Sequence, residues 1–471
     1  MTTARTRVHA FRDDALGEHD AVGLVEEIRS GRISRQEAVE AAIARTTELD
    51  AVLNGLAVDR YSSARAEAHA PHDGFFAGLP SFVKDNSDVA GLPTQQGTHA
   101  YVGEPATVDG DFARMYGLIG ATVIGKTRLS EYGFSPSAEF HDDVPVRNPW
   151  HTGHSSGASS AGSAAFVAAG AVPMSHANDG GGSIRIPAAC NGLVGLKSTR
   201  GRIPSDKMSR EMPVQIVHDG VVTRSVRDSA AFIRESERVY RNLKLPPVGD
   251  VTHPGKPRVR IALVTNSIGG RTTDSETTQT VEKTAALLEE LGHHIELVEA
   301  PVPDSFEDDF LLYWSALAMA LSAGGKFTFN RTYDRSKNDN LTKGLAAHAT
   351  KNLWRLPLAI ARLKRSHGIS KQFFAHHDVV LTPTLSLTTP ELGWLNPSQS
   401  YETVMGRILE WVSFTPLQNA TGDPAISVPM GMSSKGLPIG VMLSAAQGYD
   451  RRIIEVAYEL EEAQPFARIQ G

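Results

Sequence analysis

Ser183 closes a run of three glycines, Gly180, Gly181 and Gly182. Glycine loses more freedom than any other residue when its backbone is fixed. Three of them before one hydroxyl imply a backbone bent to aim N–H groups at one point, which suits an oxyanion hole beside a nucleophile. The competing reading is a Gly-rich turn before an edge strand. A serine hydroxyl attacks only when a base takes its proton. His151, His154 and His176 are candidates for that base. Lys84 is another: it follows the apolar pair Phe82–Val83 and precedes Asp85. A free lysine titrates at about 10.4, but burial lowers that by several units. Neutral Lys84 would then work through a second hydroxyl, Ser159 or Ser160. The alternative for Lys84 is a surface lysine with a buried stem, or one paired with Asp85.

Other motifs fall on the wrong elements. Gly120 to Thr127 matches the phosphate-loop pattern G-x-x-x-x-G-K-[ST]. That pattern needs a strand first and a flexible loop between the glycines. Here the preceding ARMYGLIG reads as helix and the four residues between the glycines are an apolar strand. Gly153 to Gly157 reads G-H-S-S-G, a nucleophile elbow with Ser155 at its centre. An elbow follows a strand, whereas Asn148–Thr152 is turn chemistry. His151 and His154 lack a third metal ligand, so no metal and no cofactor is expected. Cys190 stands alone, which rules out an internal disulfide and reads as buried packing.

The elements that must hold these residues alternate between helix and strand. Helices are expected around 20–50, with Ser34 and Glu37 at capping-box spacing. A strand is expected at 51–59. Residues 109–132 read as helix, strand (121–124) and helix, and 205–225 as irregular. Helix follows Ser225. Strands are expected at 258–264, 378–384, 425–431 and 437–445, with a helix and strand across 272–299 and a closing helix at 449–463. Helices at 305–325 and 340–366, rich in bulky residues such as Trp314, Phe327, Phe329 and Trp354, are taken with 305–330 as the wall of an acyl pocket or as plain core. Such alternation argues for an α/β fold with a largely buried sheet. No linker splits the chain, so residues 1–471 read as one domain.

The chain has 471 residues, 41% of them hydrophobic and 21% charged, which is ordinary globular composition. Net charge is −6 with both signs interspersed and no basic stripe, so neither nucleic acid nor a membrane surface is an expected partner. The N-terminal twenty residues have no apolar core, and a cytoplasmic location is expected.

Three segments together resemble the amidase signature family. These are Lys84-Asp85, then Gly157-Ala158-Ser159-Ser160-Ala161-Gly162-Ser163, then Asp179-Gly180-Gly181-Gly182-Ser183-Ile184-Arg185-Ile186-Pro187. Asn148-Pro149-Trp150, GLVGLKSTRGR (192–202), DPAISVPMG and GLPIGVML match further family segments, and the resemblance spans roughly 20–465. It implies a mixed twisted β-sheet covered by helices on both faces, with the signature core at about 148–202. It also implies hydrolysis of a carboxylic amide through an acyl-enzyme, with Ser183 as nucleophile, Ser159 after a cis peptide as bridge, and Lys84 as base. Gly180, Gly181 and Gly182 are the implied oxyanion loop. A small-molecule amide is the implied partner, and a homodimer is compatible. Departures are Ala158 and Ala161 for glycine, Gly180 for threonine, and Arg128 for an asparagine at the rim of the site. Open alternatives are the amidase subunit of a tRNA-dependent amidotransferase, an esterase using Ser155, and a non-catalytic binding protein on the same fold.

Overall fold

In a computed structural model, residues 7–70, 72–300 and 302–471 are described. Among them are eleven strands: β1 Leu56–Asp59, β2 Pro80–Lys84, β3 Thr122–Thr127, β4 Met174–Asp179, β5 Val194–Lys197, β6 His218–Thr223, β7 Arg260–Leu263, β8 His294–Leu297, β9 Val379–Pro383, β10 Ala425–Met432 and β11 Pro438–Ser444. Eight form one mixed sheet in the order β4-β6-β5-β10-β11-β9-β7-β8. Only β8/β7 and β7/β9 run parallel in it. The other three form a small sheet, β1-β3-β2. Its β2 lies beside β4, where Ser81 Oγ donates to the Met174 carbonyl and the Lys84 N–H to His176 Nδ1. Segments on both sides of 245–257 share the large sheet. Helices flank it.

Strands β2 to β6 are buried along their whole length, so none of them shows the in–out alternation of a half-exposed strand, and β4 and β6 bury polar side chains as well. The capping box forms: Ser34 Oγ accepts from Glu37 N and the Glu37 carboxylate accepts from Ser34 N. Ser225 caps the helix Val226–Val239.

Three expectations need correction. Residues 51–53 are the end of the helix Arg35–Leu53, closed by Asn54 in the left-handed region (φ 55°), so β1 starts only at Leu56. No α-helix follows β3. A single 3₁₀ turn, Glu131–Gly133, stands there, and Tyr132 (φ 49°) and Gly133 (φ 75°) prevent propagation. Residues 218–223 are not irregular but form β6, which pairs with both β4 and β5. Its polar start, His218-Asp219, conceals a strand that is wholly inside.

The helix Ala161–Ala168 carries the serine-rich segment at its N-terminus and is buried on every side. A helix apolar all round belongs in a core. Phe166 stacks on Phe82 of β2, with centroids 5.2 Å apart. A Cβ on Gly162 would sit 3.0 Å from the Arg128 nitrogen and collide with the Gly55 carbonyl oxygen. Gly162→Ala is therefore expected to destabilise the protein by about 1–3 kcal/mol in denaturant unfolding. Gly117→Ala, in an open helical position, should be neutral or stabilising by up to about 1 kcal/mol. Equal midpoints for the two variants would contradict this close approach.

Candidate active site

Lys84 ends β2 with no exposed surface. Side chains two apart on a strand share a face, and His176 and Asn178 of β4 use that rule to hold this lysine. The His176 ring accepts the Lys84 backbone N–H at Nδ1, 3.1 Å, and its Nε2 lies 3.2 Å from Asp219 Oδ1. A ring that accepts at Nδ1 carries its proton on Nε2, and burial lowers its pKa further. His176 thus fixes the lysine backbone. Lys84 Nζ lies 2.6 Å from Asn178 Oδ1, to which it donates, and 2.7 Å from Ser159 Oγ. Burial pulls its pKa down to about 7 against the opposing pull of Asp219 and Asp179.

Ser159 follows a cis peptide bond, Ala158–Ser159. Its neighbour Ser160 faces the other way, and Ser160 Oγ donates to the Ser183 carbonyl, 2.6 Å. Of the two hydroxyls, Ser159 meets the lysine and Ser160 ties the two serine segments together.

The glycine loop is clamped from behind. Asp179 Oδ1 accepts from the Gly182 N–H at 2.6 Å, Arg185 Nη2 at 3.0 Å and Asn419 Nδ2 at 2.9 Å, and Oδ2 accepts from Arg185 Nε at 2.9 Å. Burial disfavours this carboxylate, yet the Arg185 guanidinium outweighs it and brings the pKa to about 2. Thr415 Oγ1 donates to the Gly181 carbonyl, 2.6 Å. Gly182 has φ 135°, and a Cβ there would collide with Thr415 Oγ1. Its N–H is committed to Asp179.

Ser183 lines a cavity of about 780 Å³, mouth included. The helices Phe306–Thr328 and Asn340–Asn352 contribute to its wall through residues such as Trp314 and Leu345, as the bulky segments implied. The helix Leu356–Phe373 contributes nothing to it, and Phe327 and Trp354 point to solvent. Phe329 stacks on Tyr101 instead. The helix Tyr401–Trp411 supplies Met405, Ile408 and Leu409, a wall that the sequence reading lacked.

Glu131 also escaped that reading. It accepts from Thr98 Oγ1 at 2.6 Å, Thr342 Oγ1 at 2.6 Å and the Asp339 N–H at 2.9 Å. Burial and Asp339 push its pKa up to about 8. It anchors the turn that brings Gly133 beside Ser159, where an added Cβ would come within 3.1 Å of Ser159 Oγ.

The other candidates fall elsewhere. Ser155 Oγ is buried against Ser137 Oγ, 2.8 Å. Cys190 is buried, its thiol pushed up to about 12 by desolvation. His151 and His154 pack on one another. Arg128 turns to Asp143 and the Phe140 ring and does not line the cavity. Asp85 pairs with Lys126 of the phosphate-loop look-alike, 2.7 Å, and not with Lys84. Among the described residues no group of three or more His, Cys, Asp or Glu could hold a metal ion, and no helix is long and apolar enough to cross a membrane.

Residues 37–454 match the model of the amidase family. A Mycobacterium leprae (strain TN) protein bearing the amidase name AmiC is 56% identical over 98% of this chain and 99% of its own. The 6-aminohexanoate-cyclic-dimer hydrolase of Pseudomonas sp. (strain NK87) is 31% identical over 95% of both chains. A solved structure of a 6-aminohexanoate cyclic dimer hydrolase, complexed with substrate, superposes with a TM-score of 0.88 at 30% identity, over 97% of this chain and 99% of that one. A bacterial aryl acylamidase of the amidase signature family gives a TM-score of 0.83 at 26% identity, over 95% and 96%. With its glycine loop, buried lysine and paired serine segments arranged as above, the chain belongs to the amidase signature family and is an amide hydrolase.

Proposed function

We propose that the enzyme cleaves small-molecule amides by a Ser183–Ser159–Lys84 relay. The observation that carries this reading is the 2.7 Å approach of Lys84 Nζ to Ser159 Oγ at a lysine without exposed surface. Neutral Lys84 accepts the Ser159 proton as Ser159 accepts that of Ser183. Ser183 Oγ then bonds to the carbonyl carbon. The N–H groups of Gly180, Gly181 and Ser183 hold the oxyanion, while Gly182 fixes the loop through its bond to Asp179. Ser159 returns a proton to the leaving nitrogen, the C–N bond breaks, and ammonia or an amine departs. Water, deprotonated along the same path, attacks the acyl-enzyme and releases the acid with Ser183 restored. The cyclic dimer of 6-aminohexanoate is the first substrate to try, because relatives at 31% identity carry that name.

The base works only when neutral, so activity is present above its pKa and lost below it. With Lys84 near 7, kcat/KM should fall about tenfold per pH unit below about pH 7. A flat profile from pH 8 to 5 would contradict the assignment. Lys84→Met should lower kcat about 10⁴-fold or more. Lys84→Arg should not rescue it, since a guanidinium stays protonated.

Intact-protein mass after exposure to a fluorophosphonate tests the nucleophile. One adduct on wild type, absent from Ser183→Ala, is expected. An adduct that persists in Ser183→Ala overturns the mechanism.

A further inference from the structure

The cavity beside Ser183 is apolar nearly throughout. Trp314 and Phe310 seat directly on the glycine loop. A Cβ on Gly180 would come 3.3 Å from the Trp314 ring, and one on Gly181 3.7 Å from the Phe310 ring. Gly180, which carries no side chain, thus leaves room for an indole beside the loop that ends on Ser183. Phe134 meets Trp314 edge to face, 5.3 Å between centroids.

The far end is built differently. Glu307 is the one charged side chain on the cavity wall among the described residues. It forms a two-pronged pair with Arg271, whose Nη2 lies 2.7 Å from Oε1 and whose Nη1 contacts Oε2. Beyond this pair opens a second, polar groove lined by residues 266–271, 299–300, 302–304 and Glu307, of about 1160 Å³ with its open side. Glu307 and Ile268 face both spaces, so the partition is one side chain thick. Gly269 (φ 82°) and Gly270 (φ 69°) turn the chain so that Arg271 reaches Glu307, and a Cβ on Gly269 would collide with both partners. Ile268 N–H donates to the Ser413 carbonyl, 3.0 Å, which holds the turn against the cavity.

We propose that this cavity takes the acyl group of the amide, that it selects uncharged apolar acyl chains, and that the Arg271–Glu307 pair is the end-stop that limits their length. The inference rests on the Ser183 mechanism above. A charged acyl terminus finds no free partner along an apolar wall, and burying it unpaired is costly. Trp314, over the loop, and Glu307 are seven residues apart on one helix, or roughly 10 Å at 1.5 Å per residue. An extended chain advances about 1.2 Å per bond, so about eight carbons reach the pair. Each methylene buried on the way should raise kcat/KM about fourfold.

The test is kcat/KM for p-nitroanilides of straight-chain acids from acetyl to dodecanoyl, with the succinyl compound as charged counterpart to butyryl. Wild type should improve with length to about eight carbons and then fall about tenfold or more by dodecanoyl, with succinyl about 100-fold or more below butyryl. Glu307→Ala and, from outside the cavity, Arg271→Ala should each raise the dodecanoyl-to-octanoyl ratio about tenfold. Acetyl as the best substrate, succinyl equal to butyryl, or a ratio unmoved in both variants would overturn the proposal. Turnover of none of the series, with the fluorophosphonate adduct still on Ser183, overturns the acyl pocket alone. Neither turnover nor adduct overturns the serine mechanism with it.

Discussion

Lys84 is stripped of water and given no carboxylate of its own. An ammonium in such a place must find a counter-ion or give up its proton. Three carboxylates lie within electrostatic or sequence reach, and each is engaged elsewhere. Asp85 goes to Lys126, Asp179 to Arg185, and Asp219 to His176. What remains at Nζ is neutral: the Ser159 hydroxyl and the Asn178 amide oxygen. If any of the three carboxylates bonded directly to Nζ, the lysine would stay protonated at neutral pH and could accept nothing. The small sheet, the β2–β4 contact and the buried helix behind Ser159 all serve this one placement.

The same economy of partners shapes the loop before Ser183. Arg185 neutralises Asp179 in full burial, its Nη1 donating to Gln418 Oε1 and its Nη2 shared between Asp179 and Asn419 Oδ1. The carboxylate is then free to hold the Gly182 amide from behind, while Thr415 holds the Gly181 carbonyl. A loop clamped at a donor and at an acceptor is held in one conformation from behind, the preorganisation that the proposed oxyanion role asks of it. Rigid glycine on one side permits bulky aromatic rings on the other, so the device that shapes the loop also sets the character of the cavity.

Much of this is legible in the chain. Gly and Ser density marks the serine segments, and the apolar pair ahead of Lys84 marks a strand end inside the core. The phosphate-loop look-alike can be set aside because β-branched residues occupy its loop positions, and β3 indeed runs through Gly125-Lys126-Thr127. Less is legible where long-range contacts decide. β6 begins with His218-Asp219, polar residues that are buried only because β4 and β5 close over them. Nothing local distinguishes Ser159 from Ser160, whose roles are separated by where Lys84 and Ser183 lie in space. Glu131 has no periodic or motif signal, and its partners at 98, 339 and 342 come from distant segments. Arg128, expected at the rim, is drawn off by Asp143 and Phe140.

The most direct measurement on the central claim is the titration of Lys84 itself. Lysine labelled with ¹³C at the ε carbon can be followed by NMR from pH 5 to 11, with Lys84→Met to assign the resonance. A midpoint near 7, far below the other lysines, is the expected result. A resonance that titrates with the surface lysines, at about 10, would mean that Lys84 is charged at working pH and that the base lies elsewhere.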